Sequence, residues 1–414
     1  MNLQSLENKT ILMLGKSRAF SENEFASQLK FHKIKVVKEL ENSLSFVLEG
    51  RMMTPYEQNL SDELYEKKAY NFMNIDSFEK LLAEEIDNDT LLMSLKLSND
   101  KARLKSFLQN NCIDDALFFK LLKMYSFEGE DFFENDDNRD ISAALIGRFY
   151  ENIERNHNVQ FATTGIYHLI VQTKNEQLLE AIAQLSPVKK HPKIIAALVL
   201  HEKTPKSVLK MFLKQGDSAV KKAMAYNANV DKTIAYELSK DENLAAIVAQ
   251  NIILDEALFE HLHAYESFLA ANTSLNEKMQ NSLLERGNDE INMILAANTS
   301  LHVNSIEALL VLENDMINIA VYKNSAVNET SLRNAYKTGK YDLSLSINSA
   351  TPKDILEKIF QKSDEAILYN LAKNENTPVE ILYQLQLDSR FERAVKTNEA
   401  FGKYIQSQNI GWLV

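Results

Sequence analysis

The chain has 414 residues, 45% of them hydrophobic and 25% charged, and a formal net charge of −12. This is the composition of a folded, water-facing protein. The acidic balance argues against wholesale binding to nucleic acid or anionic membrane, though a local basic patch can still act. A single cysteine, Cys112, excludes an internal disulfide framework and a cysteine-rich zinc site, and it suits a reducing cytosol.

Only 10 glycines and 6 prolines argue against long flexible linkers. The length accommodates two or three ordinary domains, or one small domain followed by a repeat array. The first seven residues lack an apolar secretory core. No apolar run approaches the roughly 20 residues that span a bilayer. The expectation is a cytoplasmic protein without a membrane partner.

Residues 8–87 read as α/β. Thr10-Ile11-Leu12-Met13-Leu14 is a short apolar run ending at Gly15, which suits a buried strand. Ser21 is a helix cap with Glu24 three residues on. Strands follow at Lys35 to Leu40 and at Leu44 to Leu48. Thr54-Pro55-Tyr56-Glu57 opens a second helix with cap, first-turn proline and capping-box glutamate. Tyr70 to Ile75 is a fourth strand, and Asp76 caps a helix carrying Phe78, Leu81 and Leu82.

This order resembles a BRCT domain of the kind appended to bacterial DNA ligases. The matching pieces are the first strand ending in Gly15, then Arg18, Phe46-Val47-Leu48-Glu49-Gly50, and Ile75-Asp76-Ser77-Phe78. The resemblance implies a four-stranded parallel sheet flanked by helices. His32-Lys33-Ile34 replaces the family's glycine pair, and Phe78 its commoner tryptophan. Some family members grip a phosphate after the first strand. Here Gly15-Lys16-Ser17-Arg18 offers amides, a hydroxyl and two cations for that role. The second helix carries acids where the family's phosphate-binding lysine would lie, so a solvated turn is the competing reading.

Residues 88–187 read as divergent helical repeats. Phe107 to Leu117 has an apolar helix end, Asn110, a short turn and an acidic helix start, a first degenerate repeat. The acid-rich run within 127–140 lacks the alternate spacing of a calcium loop and reads as a surface loop or a site for a basic partner.

Residues 188–414 read as regular two-helix repeats. A key residue recurs at His201, Asn227, Asn251, Asn272, Asn298, Asn324, Asn348, Asn374 and Asn398, with a mean interval near 25 residues. Such a period signals a solenoid. Apolar residues lie three and seven positions before the key residue, as at Leu371 and Ile367, and seven and eleven after it, as at Ile381 and Leu385. These are the inner faces of two helices too short to be stable alone. Thr204-Pro205, Thr351-Pro352 and Thr377-Pro378 read as cap and first-turn proline, with Glu380 completing a capping box. Gly216-Asp217, Gly287-Asn288 and Thr338-Gly339 read as left-handed helix ends followed by the next cap. The recurrent Asn reads as a left-handed turn residue whose amide bonds a neighbouring backbone. This makes the ladder structural, against an alternative in which its amides bind a peptide.

The phrase Leu371-Ala372-Lys373-Asn374-Glu375-Asn376-Thr377-Pro378 with Ile381-Leu382 resembles the leucine-rich-repeat-variant family, and HEAT-like helix pairs are an alternative upstream. The resemblance implies an all-α right-handed superhelix. The metal-cluster cysteines of some members are absent, so no cofactor and no metal are expected.

Between Pro187 and Lys222 lie Lys189, Lys190, Lys193, Lys203, Lys206, Lys210, Lys214, Lys221 and Lys222 against only Glu202 and Asp217. Lys206, Lys210 and Lys214 share one helix face. Such a stripe suits phosphate contact or an acidic protein, and the lack of arginine argues against base reading. No catalytic constellation emerges: His261 and His263 diverge on a helix, and no phosphate loop or nucleophile elbow is present. The expectation is a non-catalytic adaptor binding a protein partner, in company with DNA repair or replication. The alternatives are a DNA-binding protein using the lysines and a helical-repeat DNA glycosylase, whose tryptophan would have to be Trp412.

Overall fold

The structure is a computed structural model, which describes residues 3–41, 43–68, 70–150, 162–286 and 288–408. Gly287 and Trp412, which the sequence analysis singled out, lie outside the described residues. The chain divides into two compact units, Met1–Lys214 and Gln215–Val414. The first contains a small parallel sheet and the early helices, and among the described residues the second contains helices and no strand.

The sheet module runs β1 Thr10–Leu14, α1 Glu22–Phe31, β2 Lys35–Val37, β3 Leu44–Glu49, α2 Pro55–Glu66, β4 Asn71–Asn74 and α3 Ile75–Glu84. Its strands are all parallel in the order β2-β1-β3-β4, with Ile11 opposite Val36 on one side and Phe46 on the other. Helices cover both faces, which is why Ile11 to Leu14 of β1 and Phe46 to Leu48 of β3 are continuous buried apolar runs instead of alternating. Leu12, Leu14 and Val47 pack with Leu64 of α2. On the other side Phe78 of α3 meets Phe25 of α1 at 6.0 Å and Phe46 of β3 at 6.1 Å between ring centroids. Ser21 and the Thr54–Glu57 capping box start α1 and α2 as read from sequence. The cap of α3 is Asn74, two residues earlier than Asp76, because its side chain accepts from the Asp76 amide.

Beyond the sheet the chain is helix after helix. In the second unit each repeat has a first helix, such as Asp315–Lys323 or Glu365–Lys373, and a second, such as Glu329–Thr338 or Val379–Gln386. First helices pack on first helices of adjacent repeats along the series Glu266–Ala270, Asp289–Ala296, Asp315–Lys323, Asp342–Ile347 and Glu365–Lys373. The inward positions read from sequence are buried, including Ile317, Val321, Ile355, Ile359, Ile367, Leu371, Ile381 and Leu385. Asp217, Asn288, Asn314 and Asp364 cap first helices, and Asp231, Asp255, Asn276 and Asn328 cap second helices. Gly339 closes one second helix in the left-handed region at φ 69°.

Candidate interaction surfaces

The Asn ladder is internal. Asn298 donates both amide hydrogens, to the Ala270 and Asn272 carbonyls, each at 2.8 Å. Asn324 repeats this on Ala296 at 2.9 Å and Asn298 at 2.6 Å. Asn348 reaches Tyr322 and Asn324, Asn374 reaches Ser346 and Asn348, and Asn398 reaches Ala372 and Asn374. The Oδ1 of Asn272, Asn298, Asn324, Asn348 and Asn374 accepts the backbone N–H two residues on. Asn227 makes the same turn with Asn229. These asparagines are buried. A buried carbonyl otherwise lacks a partner at a helix end, so each side chain satisfies the preceding repeat and shapes its own turn.

Three details correct the sequence reading. The ladder residues are extended, not left-handed: Asn348 sits at φ −71°, ψ 117°. The left-handed residues fall between repeats, at Glu313, Ser363 and Gly339. Asn251 is not a rung. Its helix, Glu242–Asn251, runs through it, so its side chain bonds back to the Ile247 carbonyl at 2.8 Å. Ile252 takes the extended cap position, and its carbonyl receives Asn272 at 2.9 Å. Finally, Thr351 and Thr377 are not caps. Their hydroxyls donate backwards to Leu345 and Leu371, and Pro352 and Pro378 occupy the cap without a side-chain bond, so Glu380 completes no box. Thr204 does the same on Leu198.

The first unit contains looser copies of the joint. Asn110 is buried and its Oδ1 accepts from Cys112 N–H at 2.8 Å. Its carbonyl, which an asparagine amide would fill elsewhere, receives Arg148 Nη1 at 3.4 Å. At His201 the imidazole Nδ1 replaces Oδ1, accepting the Lys203 amide at 3.1 Å. Burial holds the His201 pKa below its ordinary value. Burial likewise pushes the Cys112 thiol up, the opposite of an activated nucleophile.

The turn after β1 is an anion nest that the protein fills itself. The N–H groups of Arg18, Ala19 and Phe20 all donate to the carboxylate of Glu79 on α3, at 2.9, 2.9 and 3.2 Å. Glu79 is fully buried. Gly15, at φ 79°, turns its N–H onto Glu57 Oε1 at 3.0 Å, which lowers the Glu57 pKa, as do the bonds from Thr54. A Cβ at Gly15 would stand 2.6 Å from the Arg51 carbonyl oxygen, so only glycine fits this corner. The Arg18 guanidinium pairs with Asp76 at 2.7 Å. Of the groups that sequence assigned to a phosphate, the Gly15 and Arg18 amides and the Arg18 guanidinium are thus engaged by carboxylates, and the Lys16 amide by the Arg51 carbonyl. Lys16 is exposed, with its backbone bridged to Arg51, and Ser17 is half-buried. Sequence reasoning missed Glu79. The available signal was an acid between Phe78 and Leu82 on the inward face of α3.

The acid-rich run is tied down by lysines of its own unit: Glu128 to Lys101, Asp137 and Asp140 to Lys105, and Glu130 to Lys190. One lysine of the proposed stripe is therefore paired internally. Lys206, Lys210 and Lys214 are exposed on the helix Lys206–Gln215, opposite buried Val208, Leu209 and Phe212. Lys189, Lys193 and Lys203 are exposed in the same unit, whereas Lys221 and Lys222 belong to the second. His261 meets Ser239 at 3.0 Å, while His263 turns to the Glu260 carbonyl, so the two diverge as expected. Among the described residues no group of three or more His, Cys, Asp or Glu is placed to hold a metal, and no helix is long and apolar enough to cross a membrane.

Comparison with known proteins adds no relative: no family model, no curated protein and no solved structure matches the chain.

Proposed function

We propose that the protein is a non-catalytic adaptor that binds a protein partner through the outer surface of its helical repeats. The observation that carries this reading is the direction of the ladder. The residues repeated most faithfully are spent inside the array, on carbonyls of the preceding repeat. What differs from repeat to repeat is the set of exposed helix positions, including Phe268, Leu343, Ile347 and Tyr369. Recurrent joints that leave the helix surfaces free to vary are what gives a repeat array its extended binding surface. The resemblances to BRCT and leucine-rich-repeat-variant modules support the same reading by analogy of fold, and they would place the protein among DNA-repair or replication factors in a reducing compartment. The parallel sheet order and the half-buried Cys112 are compatible with that assignment.

Affinity purification of the intact chain from its native cells, with identification of bound protein and nucleic acid, tests the proposal. A stoichiometric protein that survives nuclease treatment is the expected result. Recovery of nucleic acid alone would favour the second reading, in which exposed Lys206, Lys210 and Lys214 contact backbone phosphates. That reading requires salt-dependent, sequence-tolerant binding lost on charge reversal at Lys206 and Lys210.

A further inference from the structure

The ladder of the second unit skips one joint. At the joints closed by Asn298, Asn324, Asn348, Asn374 and Asn398, two amide hydrogens reach the preceding repeat, one at its rung and one two residues earlier. One repeat interval after Asn227, the rung place is held by Ile252. Ile252 has a rung's extended backbone, φ −85° and ψ 146° against −81° and 126° at Asn324, and it is fully buried. Its side chain has no hydrogen to donate. Ala225, the counterpart of Ala270 and Ala296, is fully buried too, and among the described residues no side chain donates to its carbonyl. The ladder edge of this joint carries instead one backbone bond, from the exposed Ile253 N–H to the Ala228 carbonyl at 3.2 Å.

The next joint is fully bonded. Asn272 donates to the Ala249 carbonyl at 2.7 Å and the Ile252 carbonyl at 2.9 Å, and Ser274 Oγ accepts the Leu254 N–H at 3.0 Å. The helix Glu242–Asn251 and its turn are thus tied forward by three side-chain bonds and backward, on this edge, by one exposed backbone bond. Apolar packing joins the helices Ser218–Ala225 and Glu242–Asn251, with Val220, Met224, Leu244 and Val248 buried. Such packing is non-directional, so it resists separation more than a change of angle. The second helices keep specific contacts across the joint. The His261 ring meets the Tyr236 ring at 5.0 Å between centroids and Ser239 Oγ at 3.0 Å, and Lys232 pairs with Asp255 at 3.7 Å. One edge of the joint is held and the other lacks its rung, which is the layout of a pivot.

We propose that the joint between Asn227 and Ile252 is a hinge built into the array. The repeats beyond Ile252 turn as a block about the contacts of Tyr236, Ser239 and His261, opening and closing the ladder edge between Ala225 and Ile253. The joints from Asn298 onward, each with two amide bonds, stay closed. Local motion concentrates where few hydrogen bonds cross and those that do are exposed, and hinges use a few element-terminal residues. Ile253 and Ala228 are such residues. This inference concerns how the array moves and does not depend on what it binds.

The test measures distance distributions between paired nitroxide labels on the intact chain by double electron–electron resonance. The background is Cys112→Ser, so that only the introduced cysteines react. One pair, Tyr226→Cys with Ala297→Cys, spans the Ile252 joint; the other, Ala297→Cys with Lys373→Cys, spans joints that all have rungs. All three positions are exposed and each stands one residue before a ladder asparagine. Both pairs span three packed helices, a separation of about 24–30 Å. The expected result is a distribution at least about twofold broader for the first pair, narrowed towards the second by Ile252→Asn, which restores the amide. Circular dichroism checks that each labelled chain is folded. Equal widths in the two pairs would overturn the hinge, and that comparison needs no change at Ile252. A broad first pair that a folded Ile252→Asn chain leaves equally broad would overturn the missing rung as its cause.

Discussion

The side-chain amide of Asn348 donates to the backbone carbonyl of Asn324 at 2.7 Å, 24 residues earlier in the chain. The same amide also reaches the Tyr322 carbonyl at 3.0 Å, and the side-chain oxygen accepts from Ala350 N–H at 2.8 Å. One buried side chain thus ties two repeats and fixes a turn. The chemistry demands a donor with two hydrogens beside an acceptor, which only asparagine provides at this length. Asn348→Asp keeps the shape but aims a carboxylate at two carbonyl oxygens. It is expected to destabilise the second unit more than Asn348→Ala does. Denaturant unfolding followed by circular dichroism compares the two.

The Glu79 nest makes a prediction for the sheet module. Glu79→Ala removes a fully buried acceptor from three amides, the buried one of Phe20 and the part-buried ones of Arg18 and Ala19. A buried donor left without a partner costs about 1–3 kcal/mol and a part-buried one less, so a loss of about 2 kcal/mol or more is expected. Glu79→Gln, which keeps one acceptor oxygen, should lose less. Thermal unfolding of both variants decides whether the carboxylate anchors this corner; equal and small losses would contradict it.

His201 makes the first unit sensitive to mild acid. Its Nδ1 must be unprotonated to accept the Lys203 amide, and burial lowers its folded pKa below the ordinary 6.5. The unfolded chain then binds the proton more readily. The stabilising contribution is complete above pH 6.5 and is lost as the pH falls towards the lowered folded value. His201→Asn supplies the acceptor that the other joints use, without a titration. Its unfolding midpoint is expected to be less dependent on pH between about 5 and 7 than that of the unaltered chain. An unchanged pH profile would remove His201 as the cause.

Ser363 lies in the left-handed region at φ 55°, between two repeats, where Gly339 stands in the preceding one. A residue with a Cβ pays about 1–2 kcal/mol there, and glycine returns about 0.5–1 kcal/mol of that in chain entropy. Ser363→Gly is expected to raise stability by about 0.5–1 kcal/mol. A destabilised variant would show that the Ser363 side chain holds a contact of its own.

Much of this architecture is legible in sequence because the local signals agree with one another. The run from Thr10 to Leu14, the Thr54–Glu57 box and the period of the asparagines each carry a distinct chemistry at fixed spacing. The misreadings share a cause. Thr377 ahead of Pro378 has the residues of a cap, but a threonine hydroxyl can equally donate backwards, and here the Leu371 carbonyl was the group in need. Asn251 falls at the right interval but one residue inside its helix, a difference that spacing cannot resolve. The amides after β1 suit a phosphate by sequence, and only the fold brings Glu79 to them across about 60 residues. Long-range pairing of this kind leaves no local trace.

The asparagine ladder is the joint that makes the array one structure. The most direct test compares Asn348→Ala with Asn251→Ala by equilibrium denaturant unfolding. Asn348 is a buried rung whose side chain makes three hydrogen bonds, and Asn251 is half-buried with its side chain on its own helix. The expected losses are about 2–4 kcal/mol for Asn348→Ala and below about 0.5 kcal/mol for Asn251→Ala. Equal losses, or a larger one at Asn251, would contradict the ladder.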